Sequence, residues 1–369
     1  MKVDIITRHS VPNYGSLLQA YATQKIIEDM GFEAEIINYT RYDERYKNLV
    51  NSLLNGKKWN ENVMTRLIYK AIQIPNYSIM YRKFKDYRKN FLKESKIEYG
   101  NLNELQENIP IADVYCSGSD QIWGKIGKSE FDEAYFLKFV NDKNKKCIAY
   151  ASSFGKEKID KNLENKLHEL LKHYSQILVR EDTAKEILKR HGFNNVEQVL
   201  DPTLLLNREQ WEELANKGKN KYKKYILIYQ LHENKKFDRY AKEFSKKTGL
   251  KLLRISPSIY HIKRSGKMIY LPNQYEFLAL FKNAEYVLTD SFHATVFSII
   301  FNKKFIDVLP GVTSTRIISI LNLVGLQERI LRNYEDFSFI TKKIDFSSCN
   351  KQIEMERKKS IKMFKNAII

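Results

Sequence analysis

Short apolar runs alternate with segments of helical spacing along almost the whole chain. Residues 3–7 form one such run and 8–15 a polar loop. In 16–30, Leu17, Leu18, Tyr21, Ala22, Ile26 and Ile27 recur three or four positions apart, and 34–38 is a second apolar run. Gly31 stands where a glycine in the left-handed conformation ends a helix. The pattern predicts a β-α-β unit with parallel strands. It continues with strands at 112–116 and 147–151, a helix at 159–173, a strand at 176–179, and a further helix opening at 180–183. That is the alternation a doubly wound sheet requires.

A polar, Lys-rich run at 213–225, with Gly218 in its middle, separates this series from a second one. Strands are expected at 225–230, 251–255, 286–289 and 304–308, with helices at 236–248, 274–283 and 293–301. The chain has 369 residues, more than one hydrophobic core usually serves. The expected organisation is α/β. An N-terminal Rossmann-like domain is expected over 1–212, a C-terminal one over 223–350, and a closing helix over 351–369. Two such domains with a closing helix outline the glycosyltransferase-B arrangement, in which ligands lie between domains at the carboxyl ends of strands.

Charge changes this picture at one place. The formal net charge is +19. Between 41 and 95 there are 13 Lys or Arg against 5 Asp or Glu, interleaved with Trp59, Tyr69, Tyr77, Tyr81, Phe84 and Tyr87. This basic helical insertion, about 41–100, reads either as a helix with a packed aromatic stripe or as a surface facing the acceptor or an anionic membrane. Nucleic acid is not an expected partner, because no recognised nucleic-acid motif accompanies the charge. No secretory leader pattern opens the sequence, and no stretch of about 18 apolar residues occurs. Cys116, Cys147 and Cys349 have spacings that suit neither a disulfide framework nor zinc, so a cytoplasmic protein is expected, peripheral to the membrane if the basic segment meets lipid.

Candidate chemistry gathers where strands end. In the segment 288–297 a strand stops at Asp290 and a helix starts at once, placing His293 at a helix N-terminus, where free N–H groups favour an anion. Asp290 or Ser291 can cap that helix, and the same residues also read as a plain capping turn. Arg180 directly follows a strand and has a planar fork suited to carboxylate or phosphate, or to an ion pair with a neighbouring acid such as Glu181. Hydroxyls and amides recur in the loops 117–120 and 152–155. The dinucleotide fingerprint, the phosphate loop, the HExxH helix and the serine-hydrolase elbow are all absent from the sequence.

Six segments in order resemble the polysaccharide pyruvyl transferases. They are Asn13-Tyr14-Gly15-Ser16 with Leu17-Leu18-Gln19-Ala20-Tyr21, Gly118-Ser119-Asp120-Gln121-Ile122-Trp123, Ala151-Ser152-Ser153-Phe154-Gly155, Val179-Arg180-Glu181-Asp182, Asp201-Pro202-Thr203 and Thr289-Asp290-Ser291-Phe292-His293. The resemblance implies phosphoenolpyruvate as donor substrate, no metal or other cofactor, and transfer to two hydroxyls of a sugar or lipid-linked oligosaccharide to give a ketal. It implies donor binding by Arg180 and His293, with Asn13, Gly15, Ser119, Ser152 and Ser153 in the surrounding loops. His293 is then the expected general acid or phosphate ligand, and Asp120 or Asp290 the group that takes the acceptor proton. Ser291 stands where many members carry an arginine, and Arg316 is the expected replacement. A glycosyltransferase using a nucleotide sugar, or a non-catalytic glycan-binding protein, remains the alternative.

Overall fold

In the computed structural model, which describes residues 1–54, 60, 62–124, 130–311 and 314–369, the alternating pattern builds two parallel sheets. Trp59 lies outside the described residues. The first sheet contains β1 (Lys2–Ile6), β2 (Glu33–Tyr39), β3 (Glu94–Tyr99), β4 (Val114–Ser117), β5 (Lys146–Ser152), β6 (Gln176–Val179) and β7 (Val196–Gln198), in the order β3-β2-β1-β4-β5-β6-β7. The second contains β8 (Tyr225–Tyr229), β9 (Lys251–Ser256), β10 (Lys267–Tyr270), β11 (Tyr286–Thr289) and β12 (Lys304–Asp307), in the order β10-β9-β8-β11-β12. In each, the strand order reverses beside the first strand, which opens a crevice at the carboxyl ends.

The helices follow local signals. Helix α1 (Tyr14–Asp29) starts on Asn13, whose side chain accepts from the N–H groups of Gly15 and Ser16. The insertion supplies α2 (Tyr46–Leu54) and α3 (Val63–Lys89), followed by the short α4 (Leu102–Glu107). Helices α5 (Lys161–Leu171) and α6 (Asp182–Arg190) cover the first sheet. The polar run read as a separator begins later than its composition suggests. Residues 208–216 form α7 (Arg208–Asn216), anchored by buried Trp211 and opened by a capping box between Asn207 and Gln210.

In the second half come α8 (Lys235–Thr248), α9 (Gln274–Lys282), α10 (Phe292–Ile300) and α11 (Thr315–Leu323). Helix α12 (Phe346–Ile368) begins five residues before the expected position because Asp345 accepts from the N–H groups of Ser347 and Ser348. It returns to the first sheet: Phe364 stacks on Tyr150, and the Ser360 hydroxyl accepts from the Leu200 N–H at 3.1 Å.

One hydrophobic core runs through both halves. Tyr14 of α1 stacks on Phe277 of α9 with ring centroids 4.4 Å apart and leans on Phe84 of α3. The Tyr14 hydroxyl donates to the Pro272 carbonyl, and that of Tyr87 to the Leu271 carbonyl. The aromatic stripe of the insertion thus divides. Met80 and Phe84 are buried in the C-terminal half of α3, whereas the N-terminal half leaves its apolar residues exposed. Among the described residues, no helix is long and apolar enough to cross a membrane.

Candidate functional site

The carboxyl ends of β1, β4, β8 and β11 face one another, and the loops that leave them enclose a cavity of about 170 Å³. Arg8 and Asn13 come from the loop after β1, Ser16 from α1 and Asp120 from the loop after β4. Across from them stand His232 after β8, Asp290 and Ser291 between β11 and α10, His293 on α10, and Arg316 on α11.

His293 occupies the second position of α10, and Ser291 at its N-cap makes no side-chain capping bond. Asp290 does not cap the helix either. It accepts instead from the backbone N–H groups of Leu231 and His232 at 2.7 and 2.9 Å, and lies 3.1 Å from His232 Nδ1. This bond raises the imidazole pKa of His232 above its ordinary value. It also favours the tautomer that leaves Nε2 as the acceptor. The first turn of α10 therefore points uncapped donors at the cavity, as an anion site does.

The His293 imidazole is buried, and its Nε2 has no hydrogen-bond partner within the protein. The nearest acid is Asp201, with Oδ2 at 3.9 Å. Burial pushes the pKa of His293 below its ordinary value, although Asp201 and Asp120 pull the other way. The ring rests against Gly15, where a Cβ would lie 2.1 Å from Nδ1. Only a residue without a side chain leaves that space.

Asp120 is the hub of the cations. It adopts a left-handed backbone with φ of 78°, uncommon outside glycine, and its Oδ2 accepts from the Ser16 hydroxyl at 2.7 Å. Its Oδ1 stands 3.7 Å from Arg180 Nη2 and 3.8 Å from Arg316 Nη1. Burial opposes its ionisation, but Arg180 and the other cations outweigh that and hold the carboxyl well below the usual carboxylate range. Burial, with Arg180 beside it, pulls the pKa of Arg316 down to about 10.

Arg180 does not line this cavity itself, though Asp120 and Phe292, which do, lie against its guanidinium. Its guanidinium donates to Asp201 at 2.8 Å, has Glu181 at 3.8 Å, and lies over the Phe292 ring at 4.8 Å. Arg316 also faces Phe292, at 5.7 Å. Arg180 lines a second hollow of about 180 Å³ rather than the one holding His293. The ion pair left open by the sequence is therefore made, and with three acids. Ser119, Ser152 and Ser153 are likewise engaged elsewhere. Ser119 donates to Asp201 at 3.0 Å, Ser152 to the Ser117 and Gly118 carbonyls, and Ser153 to Glu181 at 2.7 Å. These hydroxyls tie the strand-end loops together.

Arg8 and His232 were not singled out in the sequence. Both follow closely on the carboxyl ends of strands, β1 and β8, and that position was the available signal. Arg8 is held by Glu44, 2.6 Å away. Among the described residues no group of three or more His, Cys, Asp or Glu is placed to hold a metal ion.

Among solved structures, the UDP-GlcNAc 2-epimerase of Methanocaldococcus jannaschii, determined in complex with UDP-GlcNAc and UDP, is 16% identical, with 96% of this chain and 92% of that one covered and a TM-score of 0.51. AviGT4, a glycosyltransferase involved in avilamycin A biosynthesis, is 9% identical over 100% of this chain and 97% of its own, with a TM-score of 0.52. Likeness at this level shows the fold, two Rossmann-like domains in the glycosyltransferase-B arrangement. No curated protein matches the sequence significantly. A family model described as polysaccharide pyruvyl transferase matches residues 13–309, from the Asn13 cap through His293 and beyond β12, and the chain belongs to that family.

Proposed function

We propose that this protein transfers pyruvate from phosphoenolpyruvate to two hydroxyls of a sugar in a cell-surface polysaccharide or its lipid-linked precursor. The observation that carries this reading is the meeting of Arg316, the unpartnered His293 Nε2 and the uncapped start of α10 in one small cavity. The donor has a phosphate and a carboxylate, and each needs fixed positive partners. At about 170 Å³ the cavity suits a three-carbon phosphate. Pockets for larger organic ligands run to roughly 300–1,000 Å³.

In the proposed reaction one acceptor hydroxyl adds to carbon 2 of the donor while carbon 3 gains a proton and becomes a methyl group. The second hydroxyl then adds to carbon 2, the bond to the phosphate oxygen breaks, and phosphate leaves with the second proton. The products are the cyclic ketal and inorganic phosphate, so the reaction balances without a further cofactor. His293 delivers the proton to carbon 3, because the negative donor restores the basicity that burial removes. His232, oriented by Asp290, accepts the proton of the acceptor hydroxyl through Nε2. Asp120 is too weak a base for that step and positions Arg316 instead. Arg316 supplies the cation that Ser291 does not, and Arg180 holds Asp120 and Asp201 in place.

The test is phosphate release together with the appearance of a ketal methyl signal by NMR, using phosphoenolpyruvate and a panel of oligosaccharides. Thermal unfolding with phosphoenolpyruvate or UDP-GlcNAc separates the alternatives, because a ligand of the folded state raises its stability. A rise with UDP-GlcNAc alone would replace this reading with glycosyl transfer.

A further inference from the structure

The insertion leaves two features that the reaction above does not use. Beside the catalytic cavity, α2 and α3 enclose a larger one of about 720 Å³ whose wall includes Arg45, Tyr46, Tyr81, Arg82, Lys85 and Arg88. Arg88 is committed, with Nε 2.8 Å from Glu94 and Nη1 donating to the Ser10 carbonyl. The others are not. Arg45 lies over Gly100 with its buried Nε unpartnered, and among the described residues Arg82 and Lys85 make no ion pair.

The second feature is apolar. Val63, Met64, Leu67, Ile68, Ile72 and Ile74 in the N-terminal half of α3 are 41–66% exposed. The segment Ile259–Lys263 adjoins them, with the Tyr260 hydroxyl donating to the Ile72 carbonyl at 2.5 Å and Ile259 and Ile262 themselves exposed. An ideal helix would bring positions 18 apart, such as Met64 and Arg82 or Leu67 and Lys85, to one azimuth; Pro75 interrupts α3 between them. The apolar ledge and the cationic cavity are successive stretches of the same helix.

We propose that this surface docks on an anionic lipid bilayer, with the ledge among the acyl chains and the cavity mouth at headgroup level. Charge selects the occupant. Helix α3 carries seven Lys or Arg against a single acid, Asp86. An apolar face flanked by that excess is the composition of an interfacial helix. A two-fold dimer through α3 would set its cations against their copies, which disfavours a second chain. The proposal does not depend on pyruvyl transfer, since any acceptor carried on lipid would be met at the same face.

The test is co-sedimentation of the full chain with vesicles of phosphatidylcholine alone or mixed equally with phosphatidylglycerol, at low and high salt. Wild-type protein is expected to bind the mixed vesicles at low salt and to be released by high salt. Leu67→Asp/Ile68→Asp and Arg82→Glu/Lys85→Glu should each weaken that binding by about tenfold or more. These positions are exposed or at the surface of α3, and an unchanged melting temperature checks that each variant folds. Equal binding to both vesicle types, or variants that bind like wild type, would overturn the proposal. So would a dimer in lipid-free solution that Leu67→Asp/Ile68→Asp dissociates, which would assign the face to a second copy.

Discussion

Gly15 and His293, one from each domain, touch so closely that a Cβ on residue 15 would stand 2.1 Å from the imidazole Nδ1. Gly15→Ala is therefore expected to push the ring out of line rather than to unfold the protein. Displacement by about an ångström typically costs about a hundredfold in rate. The overpacking itself should cost about 1–3 kcal/mol of stability. Steady-state kinetics beside thermal unfolding would show both, and a variant with unchanged kcat/KM would mean that the position of His293 is immaterial.

Arg316→Ala should remove one charged partner of the donor. A hydrogen bond to a charged group contributes about 1.5–3 kcal/mol, or roughly a 10- to 100-fold rise in KM for phosphoenolpyruvate. Arg316→Lys should recover only part of this, because an ammonium lacks the planar fork. If phosphoenolpyruvate raised the melting temperature of Arg316→Ala as much as that of wild type, the donor would lie elsewhere.

The sign of proton exchange on donor binding follows from burial. In the free protein the pKa of His293 lies below its ordinary value of 6.5, so the ring is neutral near pH 7. An anionic donor beside it favours the charged form. Binding near neutral pH should then take up protons, seen as calorimetric heats that change with the ionisation enthalpy of the buffer. His293→Gln should abolish that uptake, and buffer-independent heats in the wild type would contradict the assignment of His293 as the acid.

His232 titrates the other way. Its pKa is raised by the bond to Asp290, and a base must be deprotonated to act. The acidic limb of the kcat/KM profile should reflect this raised pKa and move to lower pH in Asp290→Asn, which weakens the bond without removing the side chain. A limb that stays where it is would exclude His232 as the group observed.

Arg180 and Asp201 should matter chiefly to folding. The pair is almost completely buried at 2.8 Å, and breaking a buried pair from one side costs about 3–5 kcal/mol. Arg180→Met should show such a loss in urea unfolding, and Arg180→Met/Asp201→Asn should lose less than the sum of the single changes. Strict additivity would mean the two side chains do not act together.

The central strands were legible because they are buried on both faces and read as unbroken apolar runs, such as Ile177, Leu178 and Val179 in β6. The strands β3, β7 and β10 were not, since each lies at a sheet edge and is short or half polar, as Glu94 to Tyr99 shows. The turn into α10 was equally plain, down to His293 at its start. What the sequence could not display was pairing across the fold. An ion pair for Arg180 was left open by the sequence, which did not show that its closest acid is Asp201, 21 residues further on. Asp290 looked like a cap until the loop carrying His232, some 60 residues earlier, was found folded onto its carboxylate. Such partners are set by tertiary packing, to which local spacing is blind.

The return of α12 to the first sheet has a mechanical consequence. The polypeptide leaves that sheet through residues 199–224 and comes back through α12, where Arg357 donates to the Leu204 carbonyl and Phe364 lies on Tyr150. Two straps of one chain thus span the junction, side by side at residues 200–204. A body strapped twice at one place cannot slide along its neighbour without stretching both straps, so Gly15 and His293 are held in register across the junction.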